Sequence, residues 1–277
     1  MAFSEEELER YSRHIILKGV GLAGQKKLAA GKVLVVGAGG LGAPVLMYLA
    51  ASGVGTLGIM DDDVVDLSNL QRQIIHTTDR IGKSKAESAA EQIHQMNPHV
   101  NIQLYRERAE VDNLAEIVCQ YDFVIDAVDN FSSKFLINDA CVLAGKPFSH
   151  GGIREFHGQL LTYVPGEGPC YRCIFEEVPE DGIVDSCSQA GVLGTLPGIV
   201  GSLQALEAQK YLLGVGELLT GQMLTFEGLT MEFRKISFPK SSPHCRVCGG
   251  NADITELRKE NYKTKSSCQI LTREGRK

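Results

Sequence analysis

The stretch from Lys32 to Asp63, KVLVVGAGGLGAPVLMYLAASGVGTLGIMDDD, constrains the fold more than any other part of the chain. Val33-Leu34-Val35-Val36 is a mainly β-branched apolar run with no polar face, the pattern of a strand buried on both sides in a parallel sheet. Gly37-Ala38-Gly39-Gly40-Leu41-Gly42 follows at once with the G-x-G-x-x-G spacing, and a small-residue apolar helix is expected from Ala43 to Ser52. Glycines at 37, 39, 40 and 42 let the backbone turn tightly and approach a phosphate, while the free N–H groups of the new helix face the anion. A second apolar run, Thr56 to Met60, ends at Asp61, placed to hydrogen-bond a ribose hydroxyl. Strand, glycine loop, helix, strand and acid in this order indicate a nucleotide site, without distinguishing NAD from ATP.

The rest of the first half repeats the alternation. Asp66-Leu67-Ser68-Asn69-Leu70-Gln71-Arg72-Gln73 reads as a polar loop able to grip phosphate or sugar. Gly82-Lys83-Ser84-Lys85 opens a helix running to Met96, which puts two lysines at the end of the helix dipole where cations are unfavourable unless an anion lies between them. A strand follows at Asn101 to Tyr105, a helix at Asn113 to Gln120, and a buried strand at Phe123 to Ala127. Val128-Asp129-Asn130 then sets Asp129 at the carboxyl edge of the sheet, where α/β sheets bind ligands. A helix from Phe131 to Ala144 and a short strand from Pro147 to His150 complete a doubly wound, Rossmann-like, mostly parallel α/β sheet. After Gly151 the pattern changes. An alternating strand, Gly158 to Val164, an apolar helix pattern, Val192 to Leu213, and a hairpin over Met223 to Ile236 predict an antiparallel C-terminal extension. Near the N-terminus, Ser4-Glu5-Glu6-Glu7 caps a helix that should carry Arg10 to His14. Gly19 to Gly24 should be a break before a short helix from Gln25.

Composition narrows the function. At 43% hydrophobic and 22% charged the 277 residues are those of an ordinary soluble globular protein. A net charge of −6 offers no electrostatic grip on nucleic acid or an anionic membrane, so neither is an expected partner. No apolar run is long enough to span a bilayer, and MAFSEEELER lacks the basic-then-apolar order of a signal peptide, so a cytoplasmic location is expected. Thiols there stay reduced, and paired cysteines then suggest metal. Cys170 and Cys173 form one Cys-x-x-Cys pair and Cys245 and Cys248 another. Two such pairs supply four thiolates to one tetrahedral Zn²⁺, leaving no open position, which makes the expected zinc structural. The polar stretch from Glu176 to Gln189, with Cys187, has the composition of a mobile surface loop, and the charged stretch from Asn251 to Lys277 reads as a loosely attached tail.

An ordered set of motifs spans Arg10 to Gly249: RYSRH, GAGGLG, Asp61-Asp62-Asp63, SNLQRQ, GKSK, AVDN, PCYRC, Cys187-Ser-Gln-Ala-Gly and CRVC. Through them the chain resembles the HesA/MoeB/ThiF family, bacterial relatives of ubiquitin-activating enzymes. The resemblance implies an adenylation unit over residues 1–250, with a nucleotide-binding half at about 31–150, a zinc-stapled carrier-binding half at about 151–250, and a tail over 251–277. It implies ATP-dependent adenylation of the C-terminal glycine carboxylate of a ubiquitin-like sulfur carrier ending in Gly-Gly, serving thiamine, molybdopterin or related sulfur chemistry. It assigns Arg72 and Lys85 to phosphate binding and Asp129 to Mg²⁺. It matches Asp61 to the ribose ligand and places Asp63, Asn69, Gln73 and Asn130 in the nucleotide motifs. Arg13 corresponds to an arginine extended into the partner subunit's site, which implies a homodimer. A cysteine at the position of Cys187 forms a thioester or disulfide link to the carrier in some members; here the neighbouring acids, Asp185 among them, would raise its thiol pKa, and an idle exposed cysteine is the competing reading. A separate cysteine desulfurase or sulfurtransferase is a further implied partner. Three alternatives remain at this level: a nicotinamide-dependent oxidoreductase, which leaves Arg72, Lys85, Asp129 and the cysteine pairs unexplained; a non-catalytic scaffold that keeps the fold and zinc, against which the intact phosphate set argues; and a tRNA threonylcarbamoyl-adenosine dehydratase of the same family, which should be more basic and lack this zinc set.

Overall fold

A computed structural model describes residues 2–179, 191–238 and 241–263. Its strands are β1 (Lys32–Val36), β2 (Thr56–Met60), β3 (Asn101–Tyr105), β4 (Phe123–Asp126), β5 (Phe148–Arg154), β6 (His157–Tyr163), β7 (Gln222–Glu227) and β8 (Glu232–Ser237). They form one sheet in the order β3-β2-β1-β4-β5-β6-β7-β8, parallel through β5 and antiparallel beyond it. The doubly wound sheet with an antiparallel extension expected from the sequence is the one found. The chain winds outward from β1 to β3 on one side and returns to β4 on the other. That reversal opens a crevice between the carboxyl ends of β1 and β4, the place where doubly wound sheets take ligands.

The helices are α1 (Glu5–Arg10), α2 (Ser12–Ile15), α3 (Gly21–Ala30), α4 (Gly42–Ala51), α5 (Lys85–Met96), α6 (Leu114–Val118), α7 (Phe131–Leu143), α8 (Tyr171–Phe175) and α9 (Thr195–Leu213). Successive strand residues face opposite sides, and here both sides are covered. Val33 and Val35 pack with Leu46 and Leu49 of α4, Ile93 of α5 and Val200 and Ala208 of α9. Leu34 and Val36 pack with Ile117 of α6 and Phe135 and Ile137 of α7. This two-sided burial is why β1 reads as an unbroken apolar run rather than an alternating one.

Four local expectations change. The N-terminal helix, capped by Ser4 and Glu7 as anticipated, ends at Arg10, because Tyr11 turns inward and its hydroxyl accepts from Asn97 Nδ2 at 2.9 Å; Arg13 therefore lies on the separate helix α2. The helix expected from Gln25 begins at Gly21. The strand expected to stop at His150 continues to Arg154, because β6 supplies its antiparallel partner as far as His157. The segment after Asn251 is not loose where it is described: Ile254 and Tyr262 are buried, and Tyr262 Oη donates to Asp139 Oδ2 at 3.0 Å. Two apolar anchors inside a charged stretch leave no compositional trace. Among the described residues, no helix is long and apolar enough to cross a membrane.

Candidate functional site

The glycine loop forms because β1 and β4 deliver their following segments to the same point. Gly37 has φ +100°, and a Cβ there would lie 2.7 Å from the Ala127 carbonyl oxygen, across the crevice. At Gly42 a Cβ would meet the Gly37 carbonyl oxygen at 1.9 Å, so only glycine lets α4 start this close to the loop. The N–H groups of Gly39, Gly40 and Leu41 find no acceptor among the described residues, the arrangement that binds an anion at a helix start. Asp61 closes the loop from β2. Its Oδ2 accepts the Ala38 N–H at 2.7 Å and its Oδ1 the Asp63 N–H at 2.9 Å. Burial raises its carboxyl above the usual range, against the pull of those N–H donors and of Lys85.

A cleft of about 1110 Å³ opens at this point. Gly37, Gly39, Gly40, Asp61, Asp63, Arg72, Gln73, Lys85, Asp129 and Asn130 all line it, so most of the nucleotide residues expected from the sequence are brought together. Lys85 begins α5, and its Nζ donates to Asp63 Oδ2 at 2.8 Å; the anion beside this lysine is a carboxylate of the protein itself. Arg72 Nη1 donates to the Ser68 carbonyl at 3.0 Å. Gln73 is buried, and its Oε1 has no partner among the described residues. Asp129 stands exposed on the loop after β4. Asn130 Oδ1 accepts from the Ser133 N–H at 2.9 Å and so caps α7.

Three expected residues do not line this cleft. Gly42 lies behind the loop, as the first residue of α4. Asn69 shapes the loop rather than its wall: its Oδ1 accepts the Asp66 N–H, and its carbonyl accepts from the Arg72 and Gln73 N–H groups at 3.1 and 3.0 Å. Arg13 is exposed on α2. Cys187, and Cys268 of the tail, lie outside the described residues.

Sequence reading missed the buried polar network that floors the cleft from beneath; of its four residues, Lys134 lines the cleft itself. Asp126, the last residue of β4, is fully buried. Its Oδ2 accepts from His150 Nδ1 at 2.6 Å, and Lys134 Nζ lies 3.5 Å from its Oδ1 while donating to the Gly151 carbonyl at 2.7 Å. Gln204 of α9 donates to the Asp126 and Ser149 carbonyls at 2.9 and 3.1 Å, tying β4 to β5. Burial alone would raise the Asp126 carboxyl, but Lys134 and His150 outweigh it and its pKa is lowered. His150 is held neutral, its pKa pushed down to about 4 chiefly by burial and further by Lys134. An acid ending an otherwise apolar strand was the available signal, since a buried carboxylate requires a partner. Beyond this floor the cleft continues over the polar face of the antiparallel strands, past Arg154, His157, Gln159 and Thr225.

The four paired cysteines converge against the core on the α7 side of the sheet, next to α8, whose Tyr171 and Phe175 line the cleft. Sγ–Sγ separations are 3.8 Å for Cys170–Cys173, 3.6 Å for Cys170–Cys245, 3.5 Å for Cys170–Cys248 and 3.3 Å for Cys173–Cys248. Sulfurs on a tetrahedron around a metal at ~2.3 Å lie ~3.8 Å apart, so this donor set fits Zn²⁺ with a slight expansion. The Ser242 N–H donates to Cys173 Sγ at 3.3 Å, support suited to a thiolate ligand. Between the first two cysteines, Arg172 is buried against Asp139, its Nε and Nη2 donating to the carboxylate at 2.8–3.0 Å.

Comparison with known proteins places the chain among its relatives. A family model described as "ThiF family" matches residues 11–247. The chain is 49% identical over 257 residues to the SAMP-activating enzyme E1 of Haloferax volcanii, covering 92% of this chain and 94% of that protein. It is 47% identical over 262 residues to the sulfur carrier protein adenylyltransferase of Thermus thermophilus, covering 93% and 96%. Its fold superposes on a crystal structure of E. coli MccB with MccA-N7isoASN at a TM-score of 0.79 and 24% identity, covering 90% of this chain and 76% of that one.

Proposed function

The chain belongs to the ThiF family, and from that premise we propose that it adenylates the C-terminal carboxylate of a ubiquitin-like sulfur carrier protein with ATP. The carrying observation is one cleft that joins the unpaired N–H groups of the glycine loop to Arg72, Lys85 and Asp129 and runs on over the antiparallel sheet. A nicotinamide site has no need of that second set. The carrier's carboxylate is already ionised at neutral pH, so no general base is required. One of its oxygens attacks the α-phosphorus of ATP, the bond to the β-phosphate breaks, and pyrophosphate leaves. The reaction needs two anions held in line and their charge cancelled. The Gly39, Gly40 and Leu41 N–H groups, with Arg72 and Lys85, hold the phosphates, and Asp61 and Gln73 orient the nucleoside end. The exposed carboxylate of Asp129 would hold Mg²⁺, which would supply charge neutralisation on the phosphate oxygens. Residues 31–150 form the nucleotide half and 151–250 the carrier half, stapled by zinc on Cys170, Cys173, Cys245 and Cys248. Arg13, exposed on α2, completes the site of a second subunit in a homodimer. The test is ATP–pyrophosphate exchange in the presence of carrier proteins ending in Gly-Gly: exchange dependent on a carrier supports the reading, and none with any carrier refutes it.

A further inference from the structure

Ala38 is held through both of its backbone polar groups. Its N–H donates to Asp61 Oδ2, and its carbonyl oxygen lies 3.0 Å from His76 Nε2. His76 is buried and its other ring nitrogen, Nδ1, lies 2.8 Å from Ser88 Oγ. A carbonyl only accepts, so Nε2 carries the ring proton. Burial keeps the imidazole neutral, which makes Nδ1 an acceptor and the Ser88 hydroxyl its donor.

This one side chain therefore connects three segments. Its backbone N–H is bonded to the Gln73 carbonyl at 3.0 Å, in the segment that carries Arg72. Ser88 lies on α5, within one turn of Lys85. Ala38 is the second residue of the glycine loop. All peptide bonds described are trans, and in a trans peptide the carbonyl and the next N–H point in opposite directions. Holding the Ala38 oxygen inward on His76 thus turns the Gly39 N–H outward, and Gly39 is a cleft residue whose N–H has no acceptor among the described residues.

We propose that His76 is a positioning residue for the nucleotide. It fixes the Ala38–Gly39 peptide so that the Gly39 N–H meets a phosphate, and it ties that peptide to the helix bearing Lys85. His76 touches no substrate, and its role rests on the adenylation reading. Gln at this position places an amide donor near Nε2, whereas Asn reaches only the position of Nδ1. His76→Gln should therefore retain affinity for ATP, and His76→Asn should weaken it about tenfold, the change expected when one buried carbonyl loses its donor. The KM for the carrier should not move in either variant.

The experiment measures ATP and carrier KM by pyrophosphate exchange, with Mg²⁺-ATP affinity by titration and thermal unfolding, in the wild type and in His76→Gln, His76→Asn and Ser88→Ala. Loss of ATP affinity in Asn with retention in Gln supports the proposal, and a smaller loss in Ser88→Ala supports the tie to α5. Equal ATP affinities in all variants, or a Gln variant as weak as Asn, overturn it, as does a shift that follows unfolding temperature and affects both substrates alike. A wild type that binds Mg²⁺-ATP but shows no exchange with any carrier would overturn the adenylation reading; the affinity comparison among variants still decides the role of His76.

Discussion

Lys85 Nζ and Asp63 Oδ2 stand 2.8 Å apart at the mouth of α5, the lysine almost entirely buried and the aspartate two-thirds exposed. The pair resolves an oddity of the sequence, a cation at the positive end of a helix dipole. A half-exposed ion pair contributes only about 0–1 kcal/mol. It holds Lys85 in place without committing it, which on the adenylation reading leaves the charge to be shared with a phosphate.

Lys85→Ala and Arg72→Ala are therefore expected to slow adenylation far more than they lower stability. Losing a cation aimed at transition-state charge costs about 2.7–4 kcal/mol, or about 10²–10³ in kcat, by the measure of a lost oxyanion-hole donor. Pyrophosphate-exchange rates beside unfolding midpoints check this; unchanged exchange in both variants removes the assignment.

Freshly purified protein is expected to hold one zinc per chain. Cys245→Ser should release it and loosen the C-terminal half, Tyr262 and its contact with Asp139 included, while the glycine loop stays formed. Metal analysis together with hydrogen exchange reads both effects. Well under one zinc per chain would contradict the site.

Acid should destabilise the protein through His150. Its pKa is about 4 in the folded chain, against the ordinary 6.5 of an exposed imidazole. Between those values the unfolded chain binds the proton and the native chain does not, so stability is full above pH 6.5 and falls as pH drops toward about 4. The full span is worth roughly 3 kcal/mol. His150→Asn retains a donor for Asp126 and removes the titration, so its denaturation midpoint should fall less steeply over that window. Parallel slopes would count against the buried neutral imidazole.

Arg13→Ala and Asp129→Ala are each expected to be inactive alone and partly active when mixed, because a hybrid dimer carries one intact site. No recovery under conditions where labelled subunits exchange would argue that Arg13 does not act in trans.

Much of this was legible in the chain because local patterns carried it. β1, the glycine loop and Asp61 form one continuous segment whose periodicity and spacing reveal both strand and ligand chemistry. The cysteine pairs were legible through fixed metal-ligand spacing, although α9, β7 and β8 intervene. The floor under the cleft was not, since Asp126, Lys134, His150 and Gln204 come from four elements and meet only when β4, β5, α7 and α9 pack. Asn69 shows the opposite error: a residue inside a recognisable motif whose side chain builds the loop rather than facing the cleft. His76 sits unremarked between Ile75 and Thr77 because its partners, Ala38 and Ser88, are distant in the chain.

The central claim is that the cleft joins a carrier's C-terminal carboxylate to AMP. Pulse incubation of the protein with Mg²⁺-ATP and candidate carriers ending in Gly-Gly, followed by intact-mass analysis, tests it directly. The expected result is a carrier heavier by one adenylyl group, formed with release of pyrophosphate and absent in Asp129→Ala. A carrier of unchanged mass, under conditions where the protein binds Mg²⁺-ATP, would contradict it.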